Sequence, residues 1–196
     1  MLPDKDEYKT SLMEGLKLEF EKQKNLLEDK QVCSIYFGGG TPALLGPTYI
    51  FEILSWIKYK TPTCEITLEA NPEVINYQLI KDFKASGINR ISIGIQSFDD
   101  ILLKTLGRTH DAKKAQNSII QAFEGGIDNI SIDLMYDLPG QSLKNWQDTL
   151  DLAVKLPITH LSLYNLTIEP HTLFYKKQAL LKKILPSEDE SLEMYK

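Results

Sequence analysis

An α/β fold built as an incompletely closed parallel barrel is predicted from three observations. Five apolar runs of strand length, at 33–37, 65–70, 90–96, 129–136 and 159–166, start roughly 25–40 residues apart, which is the spacing of βα units. The segments between them carry apolar residues at helical spacing. Four of the five runs alternate polar and apolar residues, so one face of the sheet packs on helices while the other is polar.

The elements follow in order. The leading MLPDKDEYKTSLMEGLKLEFEKQKNLLEDK is dense in both signs of charge and reads as a helix, with no apolar core of the kind a secretory signal needs. CSIYF is the first strand. A helix begins near Pro47 and runs through Ile50, Leu54 and Ile57. In the second strand Ile66, Leu68 and Ala70 alternate with Glu65, Thr67, Glu69 and Asn71. The next helix starts after Asn76, with Leu79, Ile80 and Phe83 on one side. In RISIGIQ, Ile91, Ile93 and Ile95 alternate with Arg90, Ser92, Gly94 and Gln96. A short helix ends at Gly107. A longer one from Asp111 carries Ala115, Ile119, Ala122 and Phe123 and stops at Gly125-Gly126. In NISIDLMYD the polar positions are Ser131, Asp133 and Asp137, with Met135 among them. The helix from Ser142 carries Trp146, Leu150 and Val154, and the last strand places His160, Ser162 and Tyr164 opposite Leu161 and Leu163.

That alternation decides the architecture. Strands of a parallel sheet covered on both faces read as continuous hydrophobic runs. A closed eight-stranded barrel fills its interior with branched apolar residues. A polar inner face instead predicts a wider or open barrel that holds a ligand. An antiparallel sheet with one solvated face would alternate in the same way, but four helical crossovers speak against it.

Bulk composition narrows the function classes. The chain has 196 residues, 42% of them hydrophobic and 25% charged, with a net charge of −5. An acidic balance argues against a nucleic-acid surface. No apolar stretch approaches membrane-spanning length. The two cysteines, Cys33 and Cys64, form neither a disulfide framework nor a C-x-x-C knuckle, and cytoplasmic residence is the expectation.

Several polar residues at strand ends are candidates for chemistry. Gly38-Gly39-Gly40-Thr41-Pro42 follows the first strand, where βα loops build active sites. It lacks the Lys-Ser/Thr of a phosphate loop, so it is either a tight turn or a backbone that offers carbonyls to an amine. Glu69 can accept from an amino group or pair with Arg90 on the next strand. Gln96 places an amide at a strand tip, with Gly94 leaving room below it. Arg108 in LGRTH reads by itself as a solvated arginine. Asp133, inside an apolar run, needs a partner, either a polar ligand or neighbouring Arg or Ser side chains. His110, His160 and His171 have no metal-ligand spacing and read as ordinary residues.

Taken in order, GGGTP, LEANP, RISIGIQSF, LGRTH, IDLMYDLPGQ and LSLYNLTIEPHTLFY resemble the oxygen-independent coproporphyrinogen oxidase-like family of radical S-adenosylmethionine (SAM) proteins, from about residue 32 onward. The LSLYNLTIEP stretch is more similar to the HemW heme-chaperone branch. The resemblance implies a partial (β/α)6 barrel with SAM across the strand tips. Gly39, Gly40 and Thr41 would hold its methionine moiety and Glu69 its amino group. Gln96 and Arg108 would contact the ribose and carboxylate regions, and Asp133 the ribose hydroxyls. His171 stands where related chains commonly have glycine.

The family also holds a [4Fe–4S] cluster on three cysteines, C-x3-C-x2-C, ahead of GGGTP. No such triplet occurs here, and five strands are visible where the family barrel has six. The chain is therefore expected to be a segment lacking the first strand and the cluster loop, with residues 1–170 an incomplete core barrel and 171–196 the start of a C-terminal region. The resemblance implies heme or a porphyrin, and heme-accepting proteins, as partners. The function expected of the whole protein is that of a heme chaperone. Oxidative decarboxylation of coproporphyrinogen III and a non-catalytic SAM-binding remnant are the alternatives, and the chain as written is expected not to cleave SAM.

Overall fold

The computed structural model describes residues 6–196. Helix α1 (Asp6–Gln23) leads into strand β1 (Val32–Phe37), after which strands and helices alternate: α2 (Pro47–Trp56), β2 (Lys60–Ala70), α3 (Tyr77–Ala85), β3 (Arg90–Gln96), α4 (Asp100–Thr105), α5 (Ala112–Glu124), β4 (Asn129–Tyr136), α6 (Leu143–Ala153) and β5 (His160–Asn165). Three short helices, α7 (Leu173–Lys176), α8 (Gln178–Leu181) and α9 (Glu188–Tyr195), complete the described chain. The five strands lie in the order β1-β2-β3-β4-β5, every neighbouring pair parallel, and curl into a half-barrel. Among the described residues no helix is long and apolar enough to cross a membrane.

The helices begin where side-chain acceptors satisfy their first amides. Asn76 accepts from the Leu79 N–H, Asp111 from that of Lys114, and Ser142 forms a capping box with Asn145. The apolar parity of the strands forms the core. Leu68, Ile91, Ile93, Ile95, Ile130, Ile132 and Leu134 are fully buried. They meet Ile50 and Leu54 of α2, Ile80 and Phe83 of α3, Ile119 of α5 and Trp146 of α6. Each such side chain removed from water contributes about 1.5–3 kcal/mol before its entropy cost. Helix α1 meets α2 through Phe20, whose ring centroid lies 5.9 Å from that of Trp56.

One boundary differs from the sequence reading. β2 begins at Lys60, five residues ahead of the alternating run. Lys60 pairs with Val32, and the register then slips before Ser34 meets Glu65. Pro62 lies in the slipped stretch, where the missing N–H costs no ladder bond, and a polar segment with proline carries no strand signal of its own.

The segment after β5 folds back on the barrel. The Gly140 N–H donates to the Ile184 carbonyl at 2.6 Å, and the Trp146 indole N–H to the Met194 carbonyl at 2.8 Å. Asp137 accepts from both Asn165 and Ser191. His171 has φ 68°, a left-handed conformation that favours glycine, the residue the resemblance places there.

Close packing makes a prediction at the α5 terminus. A Cβ on Gly125 would sit 2.4 Å from Cγ2 of Ile80 on α3. Gly125→Ala is expected to destabilise the protein by about 1–3 kcal/mol through overpacking, read from the midpoint of urea unfolding.

Candidate functional site

The polar parity of the strands comes together at the carboxyl ends of β1–β4. Parallel register sets Glu69 beside Ser92, Ser92 beside Ser131, and Asp133 beside Ser162. Above them lies a cavity of about 140 Å³ lined by Gly40, Thr41, Glu69, Ala70, Asn71, Ser92, Gly94, Gln96 and Asp133. Five of the residues expected from the sequence line it: Gly40, Thr41, Glu69, Gln96 and Asp133. Asn71 and Ser92 were not singled out, although they share the parity of Glu69 and Gln96, and that signal identifies them.

Gly39 and Gly40 turn the chain with φ 81° and 53°. The turn delivers the Gly39 N–H to Glu69 Oε2 at 3.0 Å, while the Tyr36 hydroxyl donates to Oε1 at 2.6 Å. Glu69 is thus fixed from two sides. A Cβ on Gly38 would stand 2.7 Å from Cε1 of Tyr36 and 3.3 Å from Glu69 Oε1, so the pair fits only against glycine. Burial and the bond to Glu69 push the Tyr36 hydroxyl up to about 12, which keeps it a donor. The ion pair of Glu69 with Arg90, the alternative the sequence leaves open, does not form. Arg90 Nε lies 4.0 Å from Glu65 Oε2 and its Nη1 donates to Thr67 Oγ1 at 3.3 Å, because register places Arg90 directly beside Thr67.

Thr41 accepts from the Asn71 amide at 3.1 Å, which joins the glycine turn to the β2 tip. Gln96 ends β3 with φ 69° and is buried. A Cβ on Gly94 would come within 3.0 Å of the Gln96 amide nitrogen and 3.3 Å of Asn71 Oδ1, so Gly94 does leave the room expected of it. Asp133 accepts from Ser92 Oγ at 3.3 Å. Burial raises its carboxyl above the ordinary aspartate value, against hydrogen bonds from Ser162 and Ser92, and the Glu69 charge raises it further. The Ser131 hydroxyl, two residues earlier on the same face, is fully buried without a partner.

Arg108 is half-buried and not the solvated arginine its local sequence suggests. Burial lowers its guanidinium below the ordinary value, while Glu73 and Asp133 hold it charged. Its neighbours anchor the loop. Thr109 donates to Glu73 Oε1 at 2.6 Å, and buried His110 contacts the same oxygen through Nδ1 at 3.0 Å and the Ile95 carbonyl through Nε2 at 3.1 Å. His110, passed over as ordinary in the sequence, ties the LGRTH loop to the β3 tip. Desolvation opposes the Glu73 charge, but bonds from Thr109, its own N–H and His110 prevail and hold its carboxyl down to about 2.

The cavity is acidic. Glu69 and Asp133 face it, Thr41, Asn71 and Gln96 add neutral donors and acceptors, and the Arg108 guanidinium feels the Asp133 charge. Such a set suits a polar ligand with a cationic amine and hydroxyl groups. Cys33 is exposed near the start of β1 and Cys64 is buried midway along β2, and neither lines the cavity. Among the described residues no three His, Cys, Asp or Glu side chains are grouped to hold a metal ion.

Residues 16–153 match the pattern of the Radical SAM superfamily. The chain is 43% identical over 169 residues to the heme chaperone HemW of Buchnera aphidicola, covering 85% of this chain and 45% of that protein. It is 37% identical to the heme chaperone HemW of Bacillus subtilis, over 83% of this chain and 44% of that one. Among solved structures, coproporphyrinogen III oxidase (HemN) from Escherichia coli, described as a radical SAM enzyme, superposes with a TM-score of 0.86 at 25% identity. That match covers 100% of this chain and 45% of the enzyme. The chain spans about half the length of the curated relatives it matches.

The Glu73 clasp generates a pH prediction. A carboxyl depressed from 4.5 to about 2 stabilises the fold above pH 4.5, and that contribution is lost as pH falls from 4.5 toward 2. Urea midpoints measured across this range should fall more steeply for the native chain than for Glu73→Gln.

Proposed function

The chain belongs to the Radical SAM superfamily, and from that premise we propose that its strand-tip cavity is the SAM site of a HemW-type heme chaperone. The observation that carries this reading is the fixed pair of acidic groups, Glu69 and Asp133, on one polar cavity beside a glycine turn. SAM brings an amine, a sulfonium and ribose hydroxyls, which are the groups this donor and acceptor set suits. Glu69, immobilised by Tyr36 and Gly39, accepts from the amino group. Gly40 and Thr41 border the methionine moiety. Asp133 accepts from the ribose hydroxyls, and Gln96 and Arg108 contact the ribose and carboxylate regions. Gly38 and Gly94 keep side chains out of the space that the Tyr36–Glu69 pair and Gln96 occupy.

Bound SAM supplies this superfamily's radical chemistry only at a [4Fe–4S] cluster. The residues of this chain do not fit that cluster, because two cysteines, Cys33 and Cys64, make no three-thiolate set. The role assigned to the chain's own residues is therefore binding and orientation. The heme-chaperone reading of the whole protein follows the names of relatives at 36–43% identity.

Two measurements test the reading. Calorimetric titration with SAM should show binding, and Asp133→Asn should weaken it about 10- to 100-fold, the worth of a charge-assisted hydrogen bond. Because burial raises the Asp133 carboxyl, affinity should fall with decreasing pH from a higher pH than an ordinary aspartate would give. Absence of SAM binding at any pH would overturn the site. Under anaerobic reducing conditions this chain should yield no 5′-deoxyadenosine from SAM. A form carrying the cysteine triplet upstream should bind heme without making protoporphyrinogen, and protoporphyrinogen formation would favour the coproporphyrinogen reading instead.

A further inference from the structure

His110 is buried and titratable, and it lies outside the cavity lining. Both of its ring nitrogens face acceptors: Nδ1 meets Glu73 Oε1 at 3.0 Å and Nε2 meets the Ile95 carbonyl oxygen at 3.1 Å. A carboxylate and a carbonyl only accept, while a neutral imidazole carries a single N–H. In either neutral tautomer one ring nitrogen would turn a lone pair on an acceptor. Turning the ring over would leave both acceptors against ring carbons. A protonated Glu73 would supply the missing hydrogen, but its carboxyl already takes the Thr109 hydroxyl and its own backbone N–H, both of which favour the ionised form.

The geometry points to His110 as a doubly protonated imidazolium, clasped between Glu73 and Ile95, that acts as the positioning residue for Gln96 and Arg108. Two connections make it one. Ile95 directly precedes Gln96, which sits at φ 69°, and the β3–β4 register slips between Ile93 and Gln96, so the ladder does not set the tip by itself. The Ile95 carbonyl is held instead by the Ser97 N–H at 2.9 Å and by His110. On the other side Arg108 is two residues from the ring, in a loop whose Thr109 hydroxyl shares Glu73 Oε1.

The charged group that faces the ring is Glu73, from the loop after β2; Arg108, in the ring's own loop, feels the same Glu73 and Asp133 of β4. The nearby Asp100 and Asp111 carboxylates are taken up by the Ala112 and Lys114 amides. Loss of the imidazolium proton therefore breaks one arm of the clasp and frees either the β3 tip or the LGRTH loop. As a device for the pocket this rests on the SAM-site reading above; as a protonation state it does not.

Nitrogen-15 NMR of the chain tests it, since only three histidines need assignment. At pH 7 both ring nitrogens of His110 should be protonated, and as pH rises the Gln96 amide should shift with the midpoint at which the ring loses its proton. In Glu73→Gln the new amide can donate to Nδ1, so His110 should carry one N–H at pH 7 and the coupled Gln96 step should vanish. SAM affinity should weaken by about 3- to 10-fold across the His110 midpoint in the native chain, as for one lost hydrogen bond, and stay level in Glu73→Gln. A single ring N–H in the native protein at pH 7, or a Gln96 amide that ignores the ring, overturns the proposal. The expected ring and Gln96 signals without SAM binding at any pH would support the clasp and count against the ligand reading.

Discussion

The structure depends on a parallel sheet whose two faces have opposite chemistry. Helical crossovers force one face to be buried against helices, and a two-residue side-chain period then sends every alternate residue to the other face. Here the buried parity is an isoleucine- and leucine-rich ladder, fully enclosed at β3 and β4. The opposite parity is Thr, Glu, Ser, Gln and Asp, and it lines the concave side of the curl. The same alternation that builds the core therefore builds the cavity.

Placing carboxylates on that concave side has a cost that the fold offsets locally. Glu69 is met by a hydroxyl and a backbone amide, so the glycine turn is also the support of an acid. Asp133 is half-buried, and the serine hydroxyls it meets do not offset that burial, so its charge is less favoured. Glu73, further from the cavity, collects Thr109 and His110 and stays ionised. Asp133 and Glu73 thus differ because their surroundings differ, and the difference separates a cavity-facing acid from an anchoring one.

The sequence reading located the strands, the helix starts at Asn76, Asp111 and Ser142, and the parity of the cavity residues, because each rests on neighbours in the chain. It placed β2 five residues late, since Pro62 and a polar stretch join the sheet only through a register slip against β1. It offered Arg90 as a partner for Glu69, whereas Arg90 reaches Glu65 and Thr67, its neighbour in the ladder. Arg108 read as solvated because a loop arginine carries no local mark of the Glu73 and Asp133 charges that surround it.

By itself, then, the sequence determined the fold class, the family and which strand positions line the cavity, all consequences of period, spacing and short motifs. Only the tertiary structure decided what each polar group touches. Glu69 meets Tyr36 and Gly39, thirty or more residues away, and His110 meets Glu73 and Ile95 from a separate loop. Those pairings depend on strand register and loop closure, and neither has a signature in the residues alone. His110 shows the gap most clearly: unremarkable in LGRTH, it is given two acceptors, one on each ring nitrogen, by the fold.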